Sequence, residues 1–360
     1  MNTVQDADLS HYEVGSKPDH TGAESWREVV MRYQKSSPWR AIWQVANSMG
    51  GYVITWAFIY LSLSLSYWLT AVLVFLAAGL LMRVFIIFHD CGHGSFFQSR
   101  RANDLTGFMA GVLTFTPYQL WRWEHAQHHS AAGDLDRRGI GDIPTMTVEE
   151  YLNAPRLKRW TYRLIRNPIV LFGVIPLLMF LIKHRLPMAE KATARVRHSV
   201  HWTNLAMLVM IVGMSLLFGV WTYLIIQIGV MAITGSVGTW LFYVQHQFED
   251  VYWERGEEWN FADAALKGSS FYKLPKVLQW FSGNIGFHHI HHLSPRIPNY
   301  NLERCHKAEP LFQKVVPVTL LSSINTLSYR LWDEEQHKLV DYGPVRQRRK
   351  QKRQAAKACS

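Results

Sequence analysis

Nine of the 17 histidines in this 360-residue chain are clustered at four places. Histidine is the commonest metal ligand among the side chains. Three places are boxes and the fourth is a single residue: His89 and His93; His125, His128 and His129; His288, His291 and His292; and His246. Imidazole nitrogens suit iron, zinc, copper and nickel. The residue type therefore indicates metal chemistry without fixing the metal.

The spacing within each box is helical. Residues three or four positions apart share a helix face, so each box can direct two or three imidazoles at one point. His246 directly follows a long apolar segment, as His89 does, which places both at the same depth. We predict that all four places form one cluster. His289 stands between two of the proposed ligands but off their helix face, so its role is ambiguous.

The number of histidines distinguishes between kinds of metal site. A zinc site takes three or four protein ligands, whereas nine histidines suit two ions with open coordination positions. The first box lacks the glutamate of the H-E-x-x-H motif, which excludes the zinc-protease mechanism. Cys91, Cys305 and Cys359 have no paired metal spacing and fit a reducing cytosol.

Metal-bound histidines usually hold their second ring nitrogen on a carboxylate or carbonyl group. The polar residues nearest the boxes in sequence are the candidates for this role. They are Asp90, Glu124, Asp134, Asp136, Glu249 and Asn284.

Two long uncharged segments must position the histidines. Residues 41–82 and 202–245 contain no Asp, Glu, Lys, Arg or His. Because one helix crosses a bilayer with about 20 apolar residues, each segment is long enough for two spans. We predict two helical hairpins, with spans at about 44–65, 68–88, 202–218 and 223–244.

The remaining segments predict the rest of an all-α integral membrane protein. Residues 105–121 and 168–182 are apolar but short, which is typical of interfacial helices. No alternating strand pattern is visible, so a helical cytosolic cap is expected to hold the metal centre. The divisions we predict are a polar N-terminal arm at 1–40, a membrane domain at 41–340 and a basic disordered tail at 341–360.

The charge pattern predicts the orientation. Two hairpins put both termini and every box on one side, and the excess of Lys and Arg marks that side as cytoplasmic. The membrane would be the plasma membrane in a bacterium or the endoplasmic reticulum in a eukaryote. The net charge of +11 comes largely from the tail, and no nucleic-acid-binding motif accompanies it. We therefore expect a membrane partner and no nucleic acid.

The boxes H-x-x-x-H, H-x-x-H-H and H-x-x-H-H, in this order around two hydrophobic hairpins, resemble those of the membrane fatty acid desaturases. The resemblance covers about residues 40–310. It is closest to the acyl-lipid omega-6 (Δ12-type) branch in three stretches. These are His-Asp-Cys-Gly-His at 89–93, Trp-Arg-Trp-Glu-His at 121–125, and Gly-Asn-Ile-Gly at 283–286 followed by Leu-Ser-Pro-Arg-Ile-Pro-Asn-Tyr at 293–300. Related acyl-CoA desaturases have an asparagine four residues before the histidine that corresponds to His246. This chain has Phe242 at that position.

The resemblance implies desaturation of lipid acyl chains by two irons and O₂, with the nine histidines as ligands. No side-chain acid, base or nucleophile can break an unactivated C–H bond, so no catalytic residue is expected beyond the metal centre. Two electrons would come from outside. The chain has no His-Pro-Gly-Gly motif of cytochrome b5, so the donor would be a separate ferredoxin or cytochrome b5.

Two other functions remain open from the sequence. A lipid or alkane hydroxylase would use the same irons and yield an alcohol. A histidine-rich metal transporter is the more remote alternative, because transporters carry polar ligands near the middle of their spans. Here the boxes stand at one face.

Overall fold

The structure is a computed structural model that describes residues 26–188 and 192–358. Residues 1–25 of the predicted N-terminal arm lie outside the described residues. The helices, in chain order, are α1 (Trp26–Tyr33), α2 (Pro38–Val45), α3 (Gly51–Ser62), α4 (Tyr67–Gly92), α5 (Arg100–Leu113), α6 (Tyr118–Ala131), α7 (Val148–Asn153), α8 (Arg156–Ile165), α9 (Ile175–Leu181), α10 (Ala194–Phe218), α11 (Val220–His246), α12 (Phe261–Leu266), α13 (Lys276–Phe281), α14 (His288–Leu293), α15 (Asn299–Ala308), α16 (Pro310–Gln313), α17 (Leu320–Asn325) and α18 (Gly343–Ala358).

Three of the described helices, α4, α10 and α11, are long and apolar enough to cross a membrane. Helix α8 and the helical segment Val170–Arg185 also pass this test together, with a 66° bend between them, and would make a fourth span if they act as one. The predicted span at 44–65 overlaps a helical run from Pro38 to Ser62 that includes a π-helical turn at Ala46–Gly50. The fold is therefore a mostly helical protein with three or four candidate spans.

Helix α4 is the central element of the bundle. It packs against α3, α5 and α11, and its residues Leu81, Val84 and Ile87 are fully buried. The Thr234 hydroxyl of α11 donates a hydrogen bond to the Ala78 carbonyl 3.1 Å away, which holds the two helices together. Outward-facing residues such as Leu216, which is 83% exposed, are apolar. Apolar outer faces are what helices need where lipid replaces water.

A buried arginine links the membrane bundle to the segment before the third box. The Arg83 guanidinium of α4 donates to the Trp280 carbonyl of α13 and lies 4.1 Å from the centre of the Trp280 ring. Its Nε also donates to the Ser48 hydroxyl at 3.1 Å. These contacts satisfy a charge that would be costly to bury alone. They also position α13, from which the chain continues into the third box.

The described residues are mostly helical, and they also include five short strands that the sequence did not predict. A three-stranded sheet combines β1 (Met146–Thr147), β4 (Leu331–Asp333) and β5 (Lys338–Val340), and a two-stranded sheet pairs β2 (Phe271–Lys273) with β3 (Pro317–Thr319). Strands of two or three residues are too short to show an alternating pattern. Strand β2 also forms a bridge from Phe271 to Phe287, the residue before α14.

Two other segments differ from expectation. The tail predicted as disordered forms α18, whose Arg, Gln, Lys and Ala residues favour helix and whose Val345 packs in a buried cluster with Tyr151 and Leu331. The apolar segment 105–121 is divided between α5 and α6, because Pro117 ends the first helix and precedes the second.

Candidate metal centre

The nine box histidines come together as two adjacent groups near the C-terminal ends of α4 and α11. In each group, every histidine offers one ring nitrogen, and these nitrogens lie within 4.8 Å of one another. The first group contains His89, His93, His125, His129 and His291. The second contains His128, His246, His288 and His292.

Two short helices serve both groups because their histidines are three and four residues apart. Helix α6 places His125 and His129 in the first group and His128 in the second. Helix α14 places His291 in the first group, while His288 and His292, one turn apart, enter the second. The middle histidine of each H-x-x-H-H box, His128 or His291, therefore enters the group that the other two histidines of its box do not, and this joins the two groups into one centre.

The ring nitrogens stand at a separation that suits a shared cation. The Nε2 atoms of His128 and His246 are 3.2 Å apart, and those of His288 and His292 are 3.0 Å apart. Two nitrogens that each bind an ion at about 2.1 Å, at roughly a right angle, would be about 3.0 Å apart.

The partners of the other ring nitrogens argue against simple hydrogen bonds within the second group. His128 Nδ1 faces the Asp142 carboxylate at 2.6 Å, and His246 Nδ1 faces the Gly268 carbonyl at 3.2 Å. Both acceptors require the proton on Nδ1, which leaves a lone pair on each Nε2. Two lone pairs that point at each other need a cation between them. The residues present therefore fit a metal ion.

One predicted carboxylate holds a histidine of the first group. Asp90 Oδ1 accepts from His89 Nδ1 at 3.0 Å. Its other oxygen accepts from the backbone N–H and the side-chain amide of Asn299, at 2.6 and 2.8 Å. Asp90 is 1% exposed, and both of its carboxylate oxygens accept hydrogen bonds inside the protein. Asn284 is connected less directly, because its amide donates to the Asn299 carbonyl at 3.1 Å.

The other four predicted carboxylates bind cations or lie at the surface. Glu124 pairs with Lys183 at 3.1 Å, Asp134 with Arg137, and Asp136 with Arg255, while Glu249 is exposed beside Tyr329. The acceptors on the second group are Asp142 and the Gly268 carbonyl, and neither was predicted from the sequence. Asp142 lies 14 residues after His128 across an irregular loop, and nothing in its spacing marks it.

The two groups differ in their access to solvent. All four histidines of the second group are buried, whereas His93 and His125 of the first are partly exposed. A polar cavity of about 570 Å³ reaches His93 and is bordered by Lys35, Arg100 and Arg296. The first group therefore faces water, and the second is enclosed by protein.

Burial favours the neutral form of His125, His129, His291 and His292. Loss of hydration lowers the pKa of His291 and His292 well below the ordinary value of 6.5, and the neighbouring imidazoles lower it further. The pKa values of His125 and His129 fall for the same reasons. Neutral imidazole is the form that binds metal, so these side chains can bind metal ions at physiological pH without first losing a proton.

Phe242 borders the centre, whereas His289 and His306 lie apart from it. The Phe242 ring lies 5.1 Å from the rings of both His128 and His246 and covers one side of the second group. His289 points away from both groups, and its Nε2 lies 3.1 Å from Nδ1 of His306 in a buried pair. His289 is thus a core residue in this structure.

Sequence comparisons agree with the geometry. The family model for fatty acid desaturases matches residues 66–319. A fatty acid desaturase of Bacillus subtilis is 46% identical over 303 residues, which cover 84% of this chain and 86% of that protein.

More distant relatives act on lipid-bound acyl chains according to their names. An sn-1 oleoyl-lipid 12-desaturase of Synechocystis is 28% identical over 234 residues, which cover 62% of this chain and 63% of that protein. An sn-1 acyl-lipid omega-3 desaturase (ferredoxin) of Nostoc is 29% identical over 237 residues, which cover 62% of this chain and 63% of that protein.

Proposed function

Because this chain belongs to the fatty acid desaturase family, we propose that it uses O₂ to desaturate acyl chains of membrane lipids at a centre of two irons. The observation that supports the metal count most strongly is the division of nine histidines into two groups. One group of five and one of four would each leave room for an exogenous ligand on its ion.

The ligand roles follow from the two groups. His89, His93, His125, His129 and His291 would hold one iron, and His128, His246, His288 and His292 the other. Asp90, Asp142 and the Gly268 carbonyl would keep the ligating rings in their required tautomers.

The reaction balances with an external source of electrons. A saturated –CH₂–CH₂– unit loses two hydrogens, O₂ takes up these together with two protons and two electrons, and the products are –CH=CH– and two waters. The irons would supply the oxidising power that no protein side chain has. The protein would exclude water and hold the chain in place. The enclosed second group, with Phe242 against it, provides the dry side of the centre.

The electron donor is proposed to be a separate ferredoxin or cytochrome b5. One relative carries ferredoxin in its name, which favours the first of these. The partly exposed first group supports electron delivery from the aqueous side.

We propose that the chain is nearest in activity to the omega-6-like acyl-lipid desaturases. We also propose that it has four spans, with both termini and the metal centre in the cytoplasm. The run from Pro38 to Ser62 would be the first span, since 25 helical residues reach roughly 37 Å. A cysteine-labelling experiment in intact cells tests the topology. In a Cys359→Ser background, a cysteine in place of Ser66 should react with an impermeant reagent, and one in place of Ser360 should react only after lysis. The reverse pattern at either site would contradict this orientation.

Product analysis tests the proposed reaction. Cells that lack desaturases would express the chain and receive a perdeuterated saturated fatty acid. Desaturation should yield lipid acyl chains lacking two deuterium atoms and containing no added oxygen, seen by gas chromatography and mass spectrometry. A product with one added oxygen would instead identify a lipid or alkane hydroxylase. Unchanged acyl chains with active wild-type relatives as controls would contradict both.

A further inference from the structure

Asn299, the first residue of α15, is buried and uses each of its four polar atoms in a hydrogen bond. Its backbone N–H and its side-chain amide donate to one carboxylate oxygen of Asp90, at 2.6 and 2.8 Å. Its amide oxygen accepts from the Gln44 amide at 3.0 Å, and its carbonyl accepts from the Asn284 amide at 3.1 Å. A buried amide with every polar atom paired is held in one orientation.

The carboxylate of Asp90 fixes the direction of these hydrogen bonds. A carboxylate only accepts, so the Asn299 side chain must turn its NH₂ group towards Asp90. The Asn299 oxygen then faces Gln44, which must present its own NH₂ group. The other Asp90 oxygen accepts from His89 Nδ1 at 3.0 Å. One hydrogen-bonded chain therefore runs from Gln44 to His89, and each donor and acceptor in it is determined.

The two donors of Asn299 decide which way the Asp90 carboxylate faces. They both hold Oδ2, which leaves Oδ1 as the acceptor for the imidazole of His89. One donor is a backbone N–H at the N-terminus of α15, where the partial charge of the helix favours an anion. The other donor is the side-chain amide, which a substitution can remove. Without it the carboxylate would have more freedom to rotate away from His89.

Gln44 connects this chain to the first helical run of the membrane bundle. It is buried in α2, and one turn earlier the Arg40 guanidinium donates to the Asn301 amide oxygen at 2.8 Å. Two polar residues of α2, four positions apart on one face, thus lie against the first turn of α15. The first helical run is therefore attached to the same residue that orients Asp90.

We propose that Asn299 is a positioning residue for the first histidine group, and that Gln44 holds the Asn299 amide in the required orientation. Through Asp90, Asn299 keeps the proton of His89 on Nδ1 and leaves Nε2 with the lone pair for the first group. The assignment rests on the proposed function, since it takes this group to be a metal site. Neither Asn299 nor Gln44 was among the candidates that the sequence suggested for this role.

Nitrogen NMR of the imidazoles tests this role without iron or turnover. The full chain, metal-free in liposomes and isotopically labelled in its histidine ring nitrogens, would be compared with Asn299→Leu. A His89→Asn variant would identify the His89 signals. We expect wild-type His89 to carry its proton on Nδ1, and Asn299→Leu to show a second population with the proton on Nε2. An unchanged tautomer in Asn299→Leu would overturn the proposal.

Asn301→Leu is the matched control. Asn301 lies on the same turn of α15 and is also buried, but its side chain bonds to Arg40 and not to Asp90. The same substitution there removes a buried amide from the same helix, so it should disturb packing while the His89 tautomer stays as in the wild type. Equal tautomer ratios in the two variants would mean that Asn299 has only a structural role.

A second pair of variants tests the contribution of Gln44. Gln44→Leu should shift the His89 tautomer in the same direction as Asn299→Leu, but less, because the Asn299 amide would keep its bond to Asp90. Gln227→Leu is the control, since Gln227 is a buried glutamine of α11 that faces the Tyr52 hydroxyl. It should leave the tautomer unchanged. Equal ratios in the two glutamine variants would remove Gln44 from the proposal.

Iron affinity gives an independent measurement. A His128→Ala background removes a ligand of the second group, so the remaining site reports on the first. Asn299→Leu should lower the iron affinity of that site about three- to tenfold, less than the roughly 10–100-fold typical of a residue bonded directly to a ligand. Combined with Asp90→Asn, it should lower the affinity no further, because it acts through that carboxylate. Additive losses would contradict the proposal.

The positioning role and the proposed reaction can fail independently. A tautomer shift in Asn299→Leu, together with a wild-type chain that binds no iron and forms no double bonds, would support the role of Asn299 and reject the proposed function. Double-bond formation by the wild type, together with an unchanged His89 tautomer in Asn299→Leu, would reject the positioning role alone.

Discussion

The carboxylate of Asp142 lies 2.6 Å from Nδ1 of His128, although the two residues are separated by an irregular loop. The same loop carries Ile143, which lines a small enclosed space together with His128 and His246. A single segment thus orients a histidine of the second group and borders the space beside it.

Asp142→Asn should weaken the second metal site. The amide keeps the shape of the carboxylate but loses the charge that holds His128 in its Nδ1–H form. Loss of such a partner typically lowers metal affinity 10–100-fold. Iron titration of the purified variant measures this. Asp136→Asn, which alters only an exposed pair with Arg255, is the control and should bind iron as the wild type does. Equal affinities in both variants would show that Asp142 does not support a ligand.

His128→Ala should abolish desaturation and leave the protein in the membrane. The second group would retain three histidines, while the first, which holds the other five, stays intact. We expect the iron content to fall from about two to about one per chain, because only one site loses a ligand. His201→Ala, an exposed position on α10, should keep both activity and iron. Unchanged iron in the His128 variant would contradict the assignment of ligands.

Acidification should destabilise the metal-free protein. The folded state lowers the pKa of His291 and His292 below 6.5, so below that pH the unfolded chain takes up protons that the folded chain excludes. Stability should be constant above about pH 7 and fall towards pH 5, by on the order of 1 kcal/mol per histidine and pH unit. Thermal unfolding in detergent at several pH values measures this. A variant with both histidines changed to Asn should show a shallower slope, and an equal slope would mean that these two imidazoles are not the cause.

Gly107→Ala should destabilise the contact between α5 and α6. An added methyl group would lie 2.2 Å from the Tyr118 ring. The ring is held in place because its hydroxyl donates to the Cys91 carbonyl at 2.6 Å. We expect a loss of about 1–3 kcal/mol, typical of overpacking. Gly213→Ala on α10 meets nothing within 4 Å and should not destabilise the protein. Thermal unfolding of the two variants compares them, and equal losses would reject this packing argument.

The sequence was informative where short-range geometry controls the outcome. The boxes follow helical spacing, so the gathering of His125, His128 and His129 could be foreseen, and His246 could be placed by its depth at the end of an apolar segment. Asp90 was foreseen because it is adjacent to His89. Glu124, Asp134, Asp136 and Glu249 were proposed on the same ground of proximity in sequence, and the structure pairs the first three with cations and leaves the fourth at the surface.

The remaining features depend on tertiary contacts that no local pattern reveals. Asp142 reaches His128 only because the loop turns back at Gly139 and Gly141, both with positive φ. The Gly268 carbonyl meets His246 from a distant segment. The tail becomes helical where Val345 finds a buried cluster, and the strands are too short to show a period.

Metal analysis of the purified wild-type chain tests the central claim most directly. We predict about two irons per chain and little zinc, because each histidine group could hold one ion and the proposed chemistry requires a redox-active metal. Mass spectrometry of the metals, on protein purified from iron-supplied cells without chelators, gives the count. One zinc per chain with no iron would contradict the claim.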